Sequence, residues 1–170
     1  DMEPEPQALR IFISSPGDVD SERDKAKQVI TQLQKWYGSV VHLVPVLWEE
    51  LPLEINTSFQ EGIDVILSDR QGIDIAVFIL WSRLGTPVTI GDSHYNSGTE
   101  REFDLMLRAL ESSGGERPDI LFYRREDDES FAAKLADPAN RNDIDGLVAQ
   151  RNLAASFFEE RFWDCLLYTS

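Results

Sequence analysis

Three clusters of polar residues in this chain have the types and spacing to meet a ligand. The first, Ser14-Ser15-Pro16-Gly17-Asp18, follows a short apolar run directly. Small hydroxyl side chains and a glycine let the backbone approach a ligand closely, and a helix opening just after them favours anionic groups at its N-terminus. The same residues also make an ordinary turn and helix cap. Neither the Gly-Lys-Ser/Thr of a Walker loop nor GxGxxG spacing follows. The second cluster is Trp48-Glu49-Glu50-Leu51-Pro52, leading to Ser58 and Gln60. An indole at position 48 can stack on a flat ring, and Gln60 can hydrogen-bond a sugar or an amide. Packing at a strand end accounts for Trp48 equally well. The third begins Trp81-Ser82-Arg83-Leu84-Gly85-Thr86-Pro87 and continues through Ser97-Gly98-Thr99-Glu100-Arg101-Glu102. Two overlapping pairs, Ser97/Glu100 and Thr99/Glu102, fit the Ser/Thr-x-x-Glu capping box. A carboxylate near the strand ends would instead stabilise positive charge building on a ribose as a glycosidic bond breaks. Spacing leaves both roles open for Glu100.

For these clusters to converge, the segments between them must place them at one end of a sheet. Residues 9–14, 40–47, 73–80 and 119–123 are β-rich, and 73–80 is the most hydrophobic, as suits a strand buried on both faces. Helical spacing links Ala26, Val29, Ile30, Leu33 and Trp36/Tyr37, then Phe59, Ile63, Ile66 and Leu67, then Phe103, Met106, Leu107 and Leu110. A last helical pattern runs over 144–167. Asp18 or Asp20 is placed to cap the first helix, and 82–98 reads as a Gly/Ser/Thr-rich loop. Alternating strands and helices predict an α/β domain with a doubly wound parallel sheet of about five strands in the order 2-1-3-4-5. Such a sheet binds ligands beyond the carboxyl ends of its strands. Residues 1–8 read as a loose leader, and 9–168 as one domain that belongs to a longer protein.

Composition narrows the partners. There are 31 acidic against 16 basic residues, a formal net charge of -15. Such a surface repels phosphate backbones and anionic lipid, which argues against direct nucleic-acid or membrane binding. Cys165 is the single cysteine, so no internal disulfide can form, which fits a reducing cytoplasm. His42 and His94 have no partners at metal-ligand spacing, and neither a metal nor a cofactor is expected. On its apolar helical pattern Cys165 reads as core.

Phe12-Ile13-Ser14-Ser15-Pro16-Gly17-Asp18-Val19 with Glu22-Arg23 resembles the opening motif of the DUF4062 domains, a TIR-like group. Ser58-Phe59-Gln60, Asp74-Ile75-Ala76-Val77, Arg83-Leu84-Gly85-Thr86-Pro87 and Ser97-Gly98-Thr99-Glu100 follow in the matching order, over roughly residues 8–125. The resemblance implies a flavodoxin-like TIR sheet at the N-terminus of a bacterial multidomain protein. Such proteins continue into a STAND-type NTPase or sensor used in antiviral defence. It also implies cleavage of NAD+ between ribose and nicotinamide, activated by self-association. Glu100 matches the family's catalytic glutamate and Ser82 its serine after the third strand. Ser14, Ser15, Asp18, Trp48, Gln60, Trp81 and Arg83 would surround the substrate. Residues 48–58 match the loop that gates the site and mediates stacking. An ordinary TIR has Trp-Cys shortly before the glutamate, where this chain has Ser97-Gly98-Thr99. The nucleoside deoxyribosyltransferases also place a glycine-containing segment there, which widens the substrate to other nucleosides and nucleotides. A catalytically silent interaction module is the other reading the resemblance allows.

Overall fold

A computed structural model describes residues 6–46 and 72–166. In chain order the elements are β1 (Gln7–Ser14), α1 (Asp20–Tyr37), β2 (Val41–Val46), β3 (Ile75–Leu80), β4 (Val88–Ile90), β5 (Ser93–Tyr95), α2 (Gly98–Ser112), β6 (Asp119–Arg124), α3 (Asp128–Ala136) and α4 (Ile144–Leu166). Strands β2-β1-β3-β6 form a parallel sheet in that order. The chain moves one way from β1 to β2 and the other way from β3 to β6. Right-handed crossovers therefore put α1 on one face and α2 on the other. This is the flavodoxin-like, doubly wound arrangement expected from the alternation of patterns, and its switch point lies between β1 and β3.

Side-chain alternation along the strands fills both faces. Ile11 and Ile13 of β1 and Ile79 of β3 pack with Val19 and with Ile30 of α1. Phe12, Ala76, Phe78 and Leu80 point the opposite way, onto Phe103 and Met106 of α2 and Ala154 and Phe157 of α4. Phe78 is the hub of this second face. Its ring meets Phe12 at 6.4 Å and Phe103 at 5.3 Å edge-on, and stacks on Phe122 at 5.8 Å.

Several details differ from the sequence reading. Among the described residues the sheet has four strands, not five, because the chain leaving β6 turns into α3 and then α4. Gln7 and Ala8, expected in the leader, pair with Val41 and His42 in the first strand. The expected loop 82–98 holds a short antiparallel hairpin, β4-β5, which its polar composition hid. Ile73 is buried but precedes β3, and Asp74 explains why the strand starts late. The Asp74 carboxylate accepts from the Arg10 amide at 2.8 Å and pairs with Arg117 at 3.4 Å. Trp36 and Tyr37 complete the periodicity of α1 yet stand 65% and 53% exposed, beyond the edge of the sheet's cover. Trp48, Gln60 and the helical pattern from Phe59 lie outside the described residues. No helix among the described residues is long and apolar enough to cross a membrane.

Phe78 carries a direct expectation. Phe78→Ala removes a fully buried ring in contact with three other aromatics and should cost about 3–5 kcal/mol in chemical denaturation. Trp36→Ala, on the exposed end of α1, should stay within about 0.5 kcal/mol.

Candidate functional site

Strand β1 ends at Ser14 and β3 at Leu80, so Ser14, Ser15, Asp18, Trp81 and Ser82 gather at the carboxyl ends on either side of the switch point. Ser14 continues the even-numbered alternation of β1, which turns its side chain toward α2. There its hydroxyl donates to Glu102 Oε2 in a very short hydrogen bond. Both residues are buried, Ser14 fully and Glu102 to 4% exposure. Glu102, not Glu100, is therefore the α2 carboxylate that meets the end of β1.

Glu100 stands elsewhere on the first turn of α2. Its backbone N–H donates to the Ser97 hydroxyl at 3.0 Å, and its Oε2 accepts from the Asn96 amide at 2.5 Å. Ser97 thus caps the helix, and the Glu100 carboxylate reaches back one residue past the cap to Asn96, a variant of the capping box. Arg161 of α4 approaches the same carboxylate at 3.8 Å. The overlapping Thr99/Glu102 pair has given up its capping geometry, since Glu102 turns inward to Ser14. Two residues of offset on a helix are about 200° of rotation, enough to turn one carboxylate to Asn96 and Arg161 and the other to Ser14 in the core.

Burial pushes the Glu102 carboxyl up to about 7, against the lowering effects of the Ser14 hydrogen bond and the Arg101 charge. Arg101 is itself 5% exposed. At neutral pH Glu102 is thus poised between acid and base, the condition suited to proton transfer.

Asp18 does not cap α1. The helix opens at Val19 without a side-chain cap, and Asp18 reaches instead across the switch point. Its Oδ2 accepts from the Ser82 amide at 3.0 Å and the Ser82 hydroxyl at 2.8 Å. Lys134 of α3 donates to the same hydroxyl at 3.3 Å. These bonds tie the turns after β1 and β3 to α3. Trp81 is flanked by cations, with the Arg125 guanidinium 4.2 Å and the Lys134 ammonium 5.4 Å from its ring. Its ring is half-buried and held within the protein by these two cations. Arg125 is held by Glu22 at 3.2 Å and Asp127 at 2.5 Å. The Arg125 hydrogen bond keeps the Asp127 carboxyl at about 2, helped by the Ser130 amide that Asp127 caps at the start of α3.

The structure thus brings together Ser14, Ser15, Asp18, Trp81 and Ser82, and leaves Glu100 in the cap. Arg83 is exposed beside this group. Gln150 of α4 accepts from the Leu84 and Gly85 amides at 3.2 and 3.3 Å and holds the loop that follows Arg83. Lys134, Arg125 and Gln150 were not singled out in the sequence, because nothing local marks a side chain that acts across the fold. Among the described residues no group of three or more His, Cys, Asp or Glu side chains is placed to hold a metal ion.

The Glu102 shift has a consequence for stability whose sign is fixed. Its folded-state value lies above its unfolded value of about 4.5. Between the two the folded chain binds more protons than the unfolded chain, so this group lowers stability as pH rises from about 4.5 to about 7. The loss amounts to about 3 kcal/mol when complete. Glu102→Gln keeps an acceptor for Ser14 and removes the ionisation. Its unfolding free energy, measured against the parent, should gain between about pH 4.5 and pH 7 and level off above that. Parallel pH profiles for the two proteins would refute the assignment.

Compared with known proteins, the chain matches no family model and no curated sequence.

Proposed function

We propose that this domain cleaves the N-glycosidic bond of NAD+ or a related nucleotide, with Glu102 as the catalytic carboxylate. The observation that carries the reading is Glu102 itself: a carboxyl raised to about 7, buried against the last residue of β1, with Ser14 fixing one oxygen. Ligands of doubly wound sheets occupy that position. The ribose enters at the strand ends, where Ser15, Asp18 and Trp81 are partly exposed. As the C1′–N bond breaks, its electron pair moves to the pyridinium nitrogen, and nicotinamide leaves neutral. Ionised Glu102 stabilises the positive charge left on the ribosyl group, all the more strongly for being out of water. Water then adds to C1′, and its proton passes to Glu102 and on to solvent. The leaving group needs no protonation, so the reaction runs on the ionised carboxylate alone. In this reading the domain is a cytoplasmic TIR-like effector of antiviral defence. It is switched on by self-association, with further NTPase or sensor domains of the protein driving the clustering.

A second reading, a non-catalytic interaction module, is favoured by one feature. Beside α1 an apolar groove of about 640 Å³ opens over β3 and β6. Val29, Leu121 and Tyr123 along it are 56%, 42% and 56% exposed. A deoxyribosyl transfer at the same carboxylate is the third reading.

Nicotinamide release by the clustered protein separates them. Glu102→Gln should lower turnover about a hundredfold or more, while Glu100→Gln, a change in a helix cap, should cost at most about 2 kcal/mol of stability and leave turnover within a few-fold. For the parent protein kcat/KM should rise with pH through about 7, following ionisation of Glu102. No nicotinamide release from the clustered parent would favour the interaction module, full turnover in both variants would overturn the assignment of either glutamate as catalytic, and loss in Glu100→Gln alone would return the role to the capping carboxylate.

A further inference from the structure

The turn between β1 and α1 carries two oxygens that the fold does not use. Asp18 spends Oδ2 on Ser82, but its Oδ1 is buried with no hydrogen-bond partner among the described residues. The Ser15 hydroxyl is buried and unpartnered in the same sense. They belong to one tight turn, closed by the Val19 amide on the Pro16 carbonyl at 3.4 Å. Buried polar groups are nearly always hydrogen-bonded, so two exceptions in one turn at the carboxyl end of β1 call for a partner from outside the chain.

The chemistry of the pair narrows that partner. An ionised carboxylate oxygen only accepts, so the group facing Asp18 Oδ1 must donate. A metal cation is disfavoured, because Lys134 and Arg125 already supply positive charge around Asp18 and Ser82. A neutral hydroxyl meets the requirement. The Ser15 hydroxyl both donates and accepts, and so suits a second hydroxyl next to the first. On the other side of the same strand end, Ser14 holds Glu102.

We propose that Asp18 Oδ1 and Ser15 Oγ bind the vicinal hydroxyls of a ribosyl group, which makes Asp18 the residue that separates ribose from 2-deoxyribose ligands. The identity of the sugar rests on the glycosidic-cleavage reading; the two unpartnered oxygens do not. A site built to hydrogen-bond a hydroxyl rejects the analogue that lacks it, since the buried acceptor is then left unpaired.

Ribose 5-phosphate and 2-deoxyribose 5-phosphate test this apart from catalysis, because neither has an N-glycosidic bond to cleave. Titrated by ligand-observed NMR into the full chain, ribose 5-phosphate should bind about 10- to 100-fold more tightly. Asp18→Asn keeps an oxygen for Ser82 and presents an amide donor where the acceptor was. It should bring the ratio of the two affinities close to one, a readout that a general loss of packing would not move. Equal affinities in the parent, no binding of either sugar, or a ratio unchanged in Asp18→Asn would overturn the proposal. Selective sugar binding without nicotinamide release would retain it and reject glycosidic cleavage.

Discussion

Removing a carboxylate from water is among the most unfavourable steps a folding chain can take. This chain takes it at Glu102, under the ends of its two central strands. The Ser14 hydroxyl that meets Glu102 joins residues 88 positions apart in sequence, so the bond forms only when β1 and α2 are in their native places. The Asp18–Ser82 bonds do the same between the turns that follow β1 and β3. The polar site and the α/β architecture therefore specify each other. The hydrophobic faces set the strand order, and the strand order brings the hydroxyls and carboxylates together.

The two faces of the sheet are covered unequally, and this shapes what the molecule offers to others. Phe12, Phe78, Phe103, Phe122 and Phe157 make one continuous aromatic layer beneath α2 and α4. The opposite face has α1 alone among the described residues, and the odd-numbered side chains of β6 emerge beside it as exposed Leu121 and Tyr123. A strand in a parallel sheet is ordinarily buried on both sides. The groove reaches Ile13, Ile79 and Arg125, and so runs up to the carboxyl ends of the strands, where Arg125 lies over Trp81.

Much of this was legible in the sequence. The apolar runs at 9–14, 73–80 and 119–123 announced strands because both faces of the sheet bury them, and Phe103 and Met106 announced the helix that covers one face. The positions of Ser14, Ser15, Asp18 and Ser82 followed from the rule that loops after parallel strands gather at one end. What the sequence could not decide was the choice between two glutamates in overlapping capping boxes. Local spacing suits Thr99/Glu102 as well as Ser97/Glu100; the outcome depends on where Ser14 lies, a contact made across the whole sheet. Lys134 and Arg125 were illegible for the same reason, as their partners Ser82, Trp81 and Glu22 are distant in sequence. The hairpin β4-β5 escaped notice because three-residue strands carry too short an alternation to read.

The account turns on the state of one carboxyl, and that state can be read directly. A carbon-detected NMR titration of the Glu102 side chain in the folded protein should give a midpoint near 7. Ser14→Ala, by removing the hydrogen bond that favours the ionised form, should move it higher. A midpoint in the ordinary glutamate range, unmoved by Ser14→Ala, would contradict the account at its centre.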